Sequence, residues 1–169
     1  MTEVKDTVGA AVAAFVDQDL ASEQTRKASI EAKGVALITS TGALVTAILA
    51  ITKFGGIEST ALLIGSPSRW LMAAGAAFVL AAIGGIAVNI PARYAQLDPD
   101  GLVQIITSPD WTDEGSEARR QLTYARTLEL ASWRRLNQLK ARVIVAGLLV
   151  QVTGVIFMIA TIVAIVGKP

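Results

Sequence analysis

Three stretches of the chain carry no charged residue, at 34–52, 70–92 and 143–167, each bracketed by basic side chains: Lys33 and Lys53, Arg69 and Arg93, Arg142 and Lys168. About 20 apolar residues suffice to cross the hydrocarbon core of a bilayer as a helix. Backbone groups in lipid must satisfy one another, so each stretch is expected to be helical. The competing reading is three buried helices of a soluble core. Three uncharged runs of this length in so short a chain disfavour it.

The polar segments also read as helix. Val4, Val8, Val12 and Phe15 recur at helical spacing among alanines, and no proline interrupts residues 1–56, so one helix is expected to run from the N-terminus through the first span. Glu23, Lys27 and Glu31 lie four apart with alternating sign, which supports that helix. The early apolar stripe suits either the plane of a membrane or a partner helix. Its acidic flanks favour the partner, because membrane-surface helices are usually basic. Residues 93–115 read as a loop on Pro99, Gly101, Pro109 and Gly115, with a short strand or helical turn at 102–106 and Trp111 docked on some surface. A second long helix is expected from Ser116, or from Asp113, into the last span. Leu122, Ala125, Leu128, Ser132, Leu136 and Leu139 form its expected apolar side, with Arg119, Arg126, Glu129, Arg134 and Lys140 elsewhere. At 1.5 Å per residue such a helix reaches roughly 75 Å, more than twice a bilayer core. Its natural partner is the N-terminal helix. Trp133 suits either an interfacial belt or a core position, and Trp70 suits a belt.

The fold class expected is therefore all-α and integral to a membrane, with long first and last helices projecting into the cytoplasm. The divisions are a cytoplasmic helix at 1–33, spans at 34–53, 70–92 and 143–167, an outer turn at 54–69, a cytoplasmic loop at 93–115, and a cytoplasmic helix at 116–142 continuous with the last span. Lys and Arg are concentrated before the first span and between the second and third. This places the N-terminus and middle segment in the cytoplasm and the C-terminus outside.

Composition narrows the chemistry. Of 169 residues 53% are hydrophobic, and the net charge of +1 gives no field for nucleic acid. Cys and His are both absent, which removes thiol nucleophiles, Cys/His metal sites and imidazole acid–base chemistry. The acidic start, with Glu3 and Asp6, does not resemble a secretory signal. No catalytic motif appears, the carboxylates Asp98, Asp100, Asp110 and Asp113 lack a metal pattern, and neither an enzyme nor a cofactor is expected.

Candidate sites are few. Ala73, Ala77, Ala81 and Gly85 place a small residue every fourth position of the second span, a stripe suited to close helix packing within one chain or between copies of a homo-oligomer. Asn89 and Gln151 are the amides in the spans; Gln151 suits an interhelical hydrogen bond better than a pore lining. No span contains an ionisable group, which argues against a proton-coupled transporter. Arg119, Arg120, Arg126, Arg134 and Arg135 form a candidate site for an anion such as a nucleotide phosphate, though juxtamembrane basic residues also meet lipid headgroups or set topology.

Three short motifs stand out in this layout: Glu31-Ala-Lys33-Gly34 at the start of the first span, Pro91 after the second, and Asn137 and Lys140 before the third. With them the layout resembles the small membrane effectors of bacterial cyclic-nucleotide defence, the Pycsar transmembrane effectors foremost, whose inner-membrane setting implies a bacterial inner membrane here. Glu31 departs from the Asp expected in that family. The resemblance covers most of the chain. It implies an oligomeric inner-membrane protein that compromises membrane integrity when a cyclic nucleotide signals phage infection. A membrane anchor or scaffold recruiting a cytoplasmic partner, and a holin-like pore, are the alternatives.

Overall fold

The computed structural model describes residues 2–54, 66–91, 103 and 116–166; the described residues contain helix and no strand. Helix α1 is Thr2–Phe54, α2 is Ser66–Asn89 and α3 is Ser116–Val166. All three are long and apolar enough over part of their length to cross a membrane. α1 is unbroken, as the absence of proline implies, and α3 begins at Ser116. The helix that holds the second span does not share the bounds of the uncharged run 70–92. α2 starts earlier than residue 70, because Ser66-Pro67 sets up a first turn where the missing proline N–H is harmless. It stops at Asn89, with a bend at Ile90, because Pro91 disfavours helical backbone in the residue before it. The tip at 55–65 and the loop segments 92–102 and 104–115, including the four loop aspartates and Trp111, lie outside the described residues. Val103 alone within 102–106 is described, and it is helical.

The chain forms two compact units: Met1–Ser29 with Pro91–Leu139, and Ile30–Ile90 with Lys140–Pro169. In the first, polar unit, the early parts of α1 and α3 run side by side in the same direction, since Asp17, Asp19 and Glu23 meet Arg126, Arg134 and Asn137 in that order. Among the described residues its buried apolar side chains are Val16, Leu130 and Trp133. Each contributes about 1.5–3 kcal/mol by leaving water.

The faces of these helices differ from the sequence expectation. Val12 and Phe15 are exposed, and Val16 is buried in their place. On α3, Leu128 is 53% exposed and Leu139 58%, whereas Leu130, Trp133 and Asn137 are buried. Lys140, expected off the apolar side, is also buried. Buried positions on α3 recur at 130, 133 and 137, and again in the second unit at 140, 144, 147, 151, 154 and 161. Alternating steps of three and four mark a coiled-coil seam, whose period of 3.5 selects a different face from the apolar stripe. Lys140, Gln151 and the amide nitrogen of Asn137 find partners on α1 across that seam.

The second, apolar unit is a three-helix bundle. Leu37, Phe78, Ala81, Val88 and Ile144 fill its interior. α1 and α3 are parallel and α2 is antiparallel to both: Gly34 lies by Asn89 and Gly85, and Gly147 by Leu37 and Ala81. The outward surface is apolar, with Val45, Leu80, Ile83, Leu149, Val152 and Ile156 all exposed. The most hydrophobic windows of the three helices bury only 17%, 33% and 22% of their residues, so most apolar surface points away from the bundle. Such a surface is stable against lipid, not against water.

Candidate functional site

The small-residue stripe of the second span turns inward. Ala77, Ala81 and Gly85 are buried and Ala73 is half-buried. A Cβ on Gly85 would stand 2.8 Å from the Gly34 carbonyl oxygen, and one on Gly34 would stand 2.6 Å from the Asn89 amide nitrogen. Glycine on both helices lets α1 and α2 touch backbone to backbone. Asn89 donates to the Gly85 carbonyl of its own helix at 2.9 Å. The stripe is thus a packing feature of one chain.

Gln151 makes the expected interhelical bond, its Nε2 donating to Ser40 Oγ at 2.9 Å, while Ser40 Oγ donates to the Leu37 carbonyl. At the end of the bundle before residue 34, Lys140 Nζ donates to Glu31 Oε1 at 3.1 Å. The ammonium is nearly enclosed and the carboxylate is one-third exposed, so the pair is satisfied without complete desolvation. Trp70 packs on Phe157, ring centroids 5.4 Å apart.

The polar unit has the denser network. Asn137 is fully buried, and its Nδ2 donates to the Glu23 backbone oxygen at 2.9 Å and to Glu23 Oε2 at 2.8 Å. Its Oδ1 is buried without a hydrogen-bond partner. Glu23 is itself buried and also accepts from Arg26 at 3.3 Å, with Arg134 at 3.9 Å. Trp133 proves a core residue: its indole donates to Glu129 at 3.3 Å, and Lys27 Nζ sits 5.4 Å over the ring centroid.

The five candidate arginines do not converge. Arg126 pairs with Asp17, and Arg134 with Asp19 and Glu23. Arg119, Arg120 and Arg135 are exposed. At about 100° per residue, Arg119 lies within about 20° of Arg126 around α3, but Arg134, Arg120 and Arg135 turn away by about 80°, 120° and 180°, over roughly 24 Å of axis. A single phosphate cannot be met by all five.

Sequence reading overlooked Glu23 and Ser40. The signal was present in the seven-residue steps Val16, Glu23, Ile30 and Leu37, all buried on α1, which only a 3.5-residue test would pick out. Among the described residues no group of acidic side chains is placed to hold a metal. No protein-family model, curated protein or solved structure matches the chain.

Proposed function

We propose that this chain is a non-enzymatic membrane effector, acting in bacterial anti-phage defence by impairing the inner membrane once a cyclic-nucleotide signal arrives. The observation that carries the reading is the division of the chain. A lipid-suited bundle shares α1 and α3 with a helical pair whose described interior includes buried Glu23 and Asn137 among its apolar side chains. A pair with polar groups in its interior opens more readily than an apolar one, and both of its helices continue into the spans. The resemblance described above supports the defence role and the cyclic-nucleotide trigger; the scattered arginines add nothing to the trigger. The bias of Lys and Arg supports a cytoplasmic N-terminus and an outer C-terminus.

The interior of the described bundle is filled by Leu37, Phe78, Ala81 and Val88, so one copy in this conformation encloses no polar channel. Leakage then requires homo-oligomeric assembly or opening of the bundle. Dye release from liposomes carrying the full chain, with cyclic pyrimidine and purine monophosphates added singly, tests the proposal. Release that depends on one nucleotide is expected; no release with any of them overturns the trigger.

A second reading is a scaffold that recruits a soluble partner. The exposed Val12, Phe15, Tyr124 and Leu128 of the polar unit favour it. It expects a stable hetero-complex on pull-down and no leakage.

A further inference from the structure

Arg142 is the last charged residue before the uncharged run of α3, and it is exposed. Among the described residues it has no ion-pair partner, unlike Lys140 two positions earlier, which Glu31 neutralises. Arg142 stands at one end of a shallow groove of about 340 Å³, lined otherwise by Ala141, Val145, Ala146 and Leu149. The two alanines recess the surface between larger side chains, and Val145 and Leu149 are 57% and 64% exposed.

We infer that this groove binds a phospholipid with an anionic headgroup, its phosphate on Arg142 and the start of an acyl chain along Val145, Ala146 and Leu149. The inference rests on α3 crossing a bilayer, not on the defence role. Its dimensions agree: seven residues of helix from Arg142 to Leu149 cover about 10 Å, within the roughly 15 Å of one leaflet's hydrocarbon. The chemistry agrees as well. Guanidinium forms paired, charge-assisted hydrogen bonds to phosphate oxygens, and an apolar floor suits an acyl chain. A second copy of this chain fits the groove less well. Packing a helix there would cover Arg142, and no span contains an Asp or Glu to neutralise it. A lipid phosphate brings the missing charge.

The test uses the full chain reconstituted in vesicles of equal phosphatidylglycerol and phosphatidylcholine, then released for native mass spectrometry of retained lipid. Preferential retention of phosphatidylglycerol is expected. Arg142→Gln should lower that retention about fivefold, the factor for losing one basic residue at an anionic surface. Ala146→Leu, which fills the groove from an exposed position, should lower retention of both lipids. Gln121→Ala, exposed on the same helix and roughly 30 Å from Arg142 along its axis, should leave it unchanged. Equal retention of the two lipids by the unaltered chain, or retention insensitive to both groove variants, overturns the inference. Efficient cross-linking of two copies through Ala146→Cys also overturns it in favour of a second copy. A chain that fails to float with the vesicles overturns the bilayer placement and the groove together. None of these readouts involves nucleotide or leakage, so failure here is separable from failure of the effector role.

Discussion

Asn137 is enclosed between α1 and α3 and spends its amide nitrogen on Glu23 twice, on the backbone oxygen and on the carboxylate. A buried carboxylate on one helix is thereby matched to a buried amide on the other. A shift of either helix by one turn would separate them, leaving both short of partners. A single buried polar residue sets register in coiled coils at a cost in stability, and this pair has the same form.

Asn137→Ala should therefore lower stability by about 1–3 kcal/mol, because Glu23 stays buried without its amide donor. The double change Asn137→Leu with Glu23→Leu should match or exceed the unaltered chain, since an apolar pair often replaces a buried polar one without loss. Thermal unfolding in nanodiscs, followed by circular dichroism, distinguishes the two. Equal loss in both variants would show that the polar pair itself holds the helices together.

Glycine substitutions in the bundle should divide sharply by position. Gly85→Ala meets the Gly34 backbone oxygen, which cannot move aside alone, so it should destabilise by about 1–3 kcal/mol. Gly147→Ala meets the far end of the Leu37 side chain, which can rotate, and should be milder. Gly75→Ala has nothing within 4 Å and should be neutral or slightly stabilising. Midpoints of thermal unfolding for the three variants check the order, and a Gly75→Ala loss equal to that of Gly85→Ala contradicts it.

The Gln151–Ser40 bond ties two helices in the apolar unit, where such bonds are worth about 0.6 kcal/mol on average. Gln151→Leu should lower the unfolding midpoint only slightly and leave any triggered dye release intact. Loss of release with folding preserved would assign Gln151 to a conducting path.

The ion pairs of the polar unit are partly exposed, with Arg134 half-exposed against Asp19. Arg134→Gln and Arg126→Gln should each cost no more than about 1 kcal/mol. Both should weaken further as salt is lowered relative to the unaltered chain, because the pair they remove is screened least there. A salt-independent difference would point to packing by the arginine stems instead.

Much of the architecture was legible in the residues themselves. Uncharged runs bounded by Lys33 and Lys53, Arg69 and Arg93, and Arg142 and Lys168 determined three helices able to cross a bilayer, because lipid penalises any other backbone. The lack of proline determined that α1 is unbroken, and Ser116 marked the start of α3. What the sequence could not determine was which face of each helix turns inward. Leu128, Leu139 and Phe15 advertise burial and are exposed, while Asn137, Lys140 and Glu23 advertise exposure and are buried. That reversal was decided by tertiary structure alone. A buried hydroxyl such as Thr41 or Thr161 can bond its own helix, but a longer polar side chain is tolerated inside when a partner from another helix reaches it, as Glu31 reaches Lys140 and Glu23 reaches Asn137. Those partners lie more than a hundred positions apart in the chain, so the seven-residue period can mark Glu23 as inward but cannot say which residue meets it.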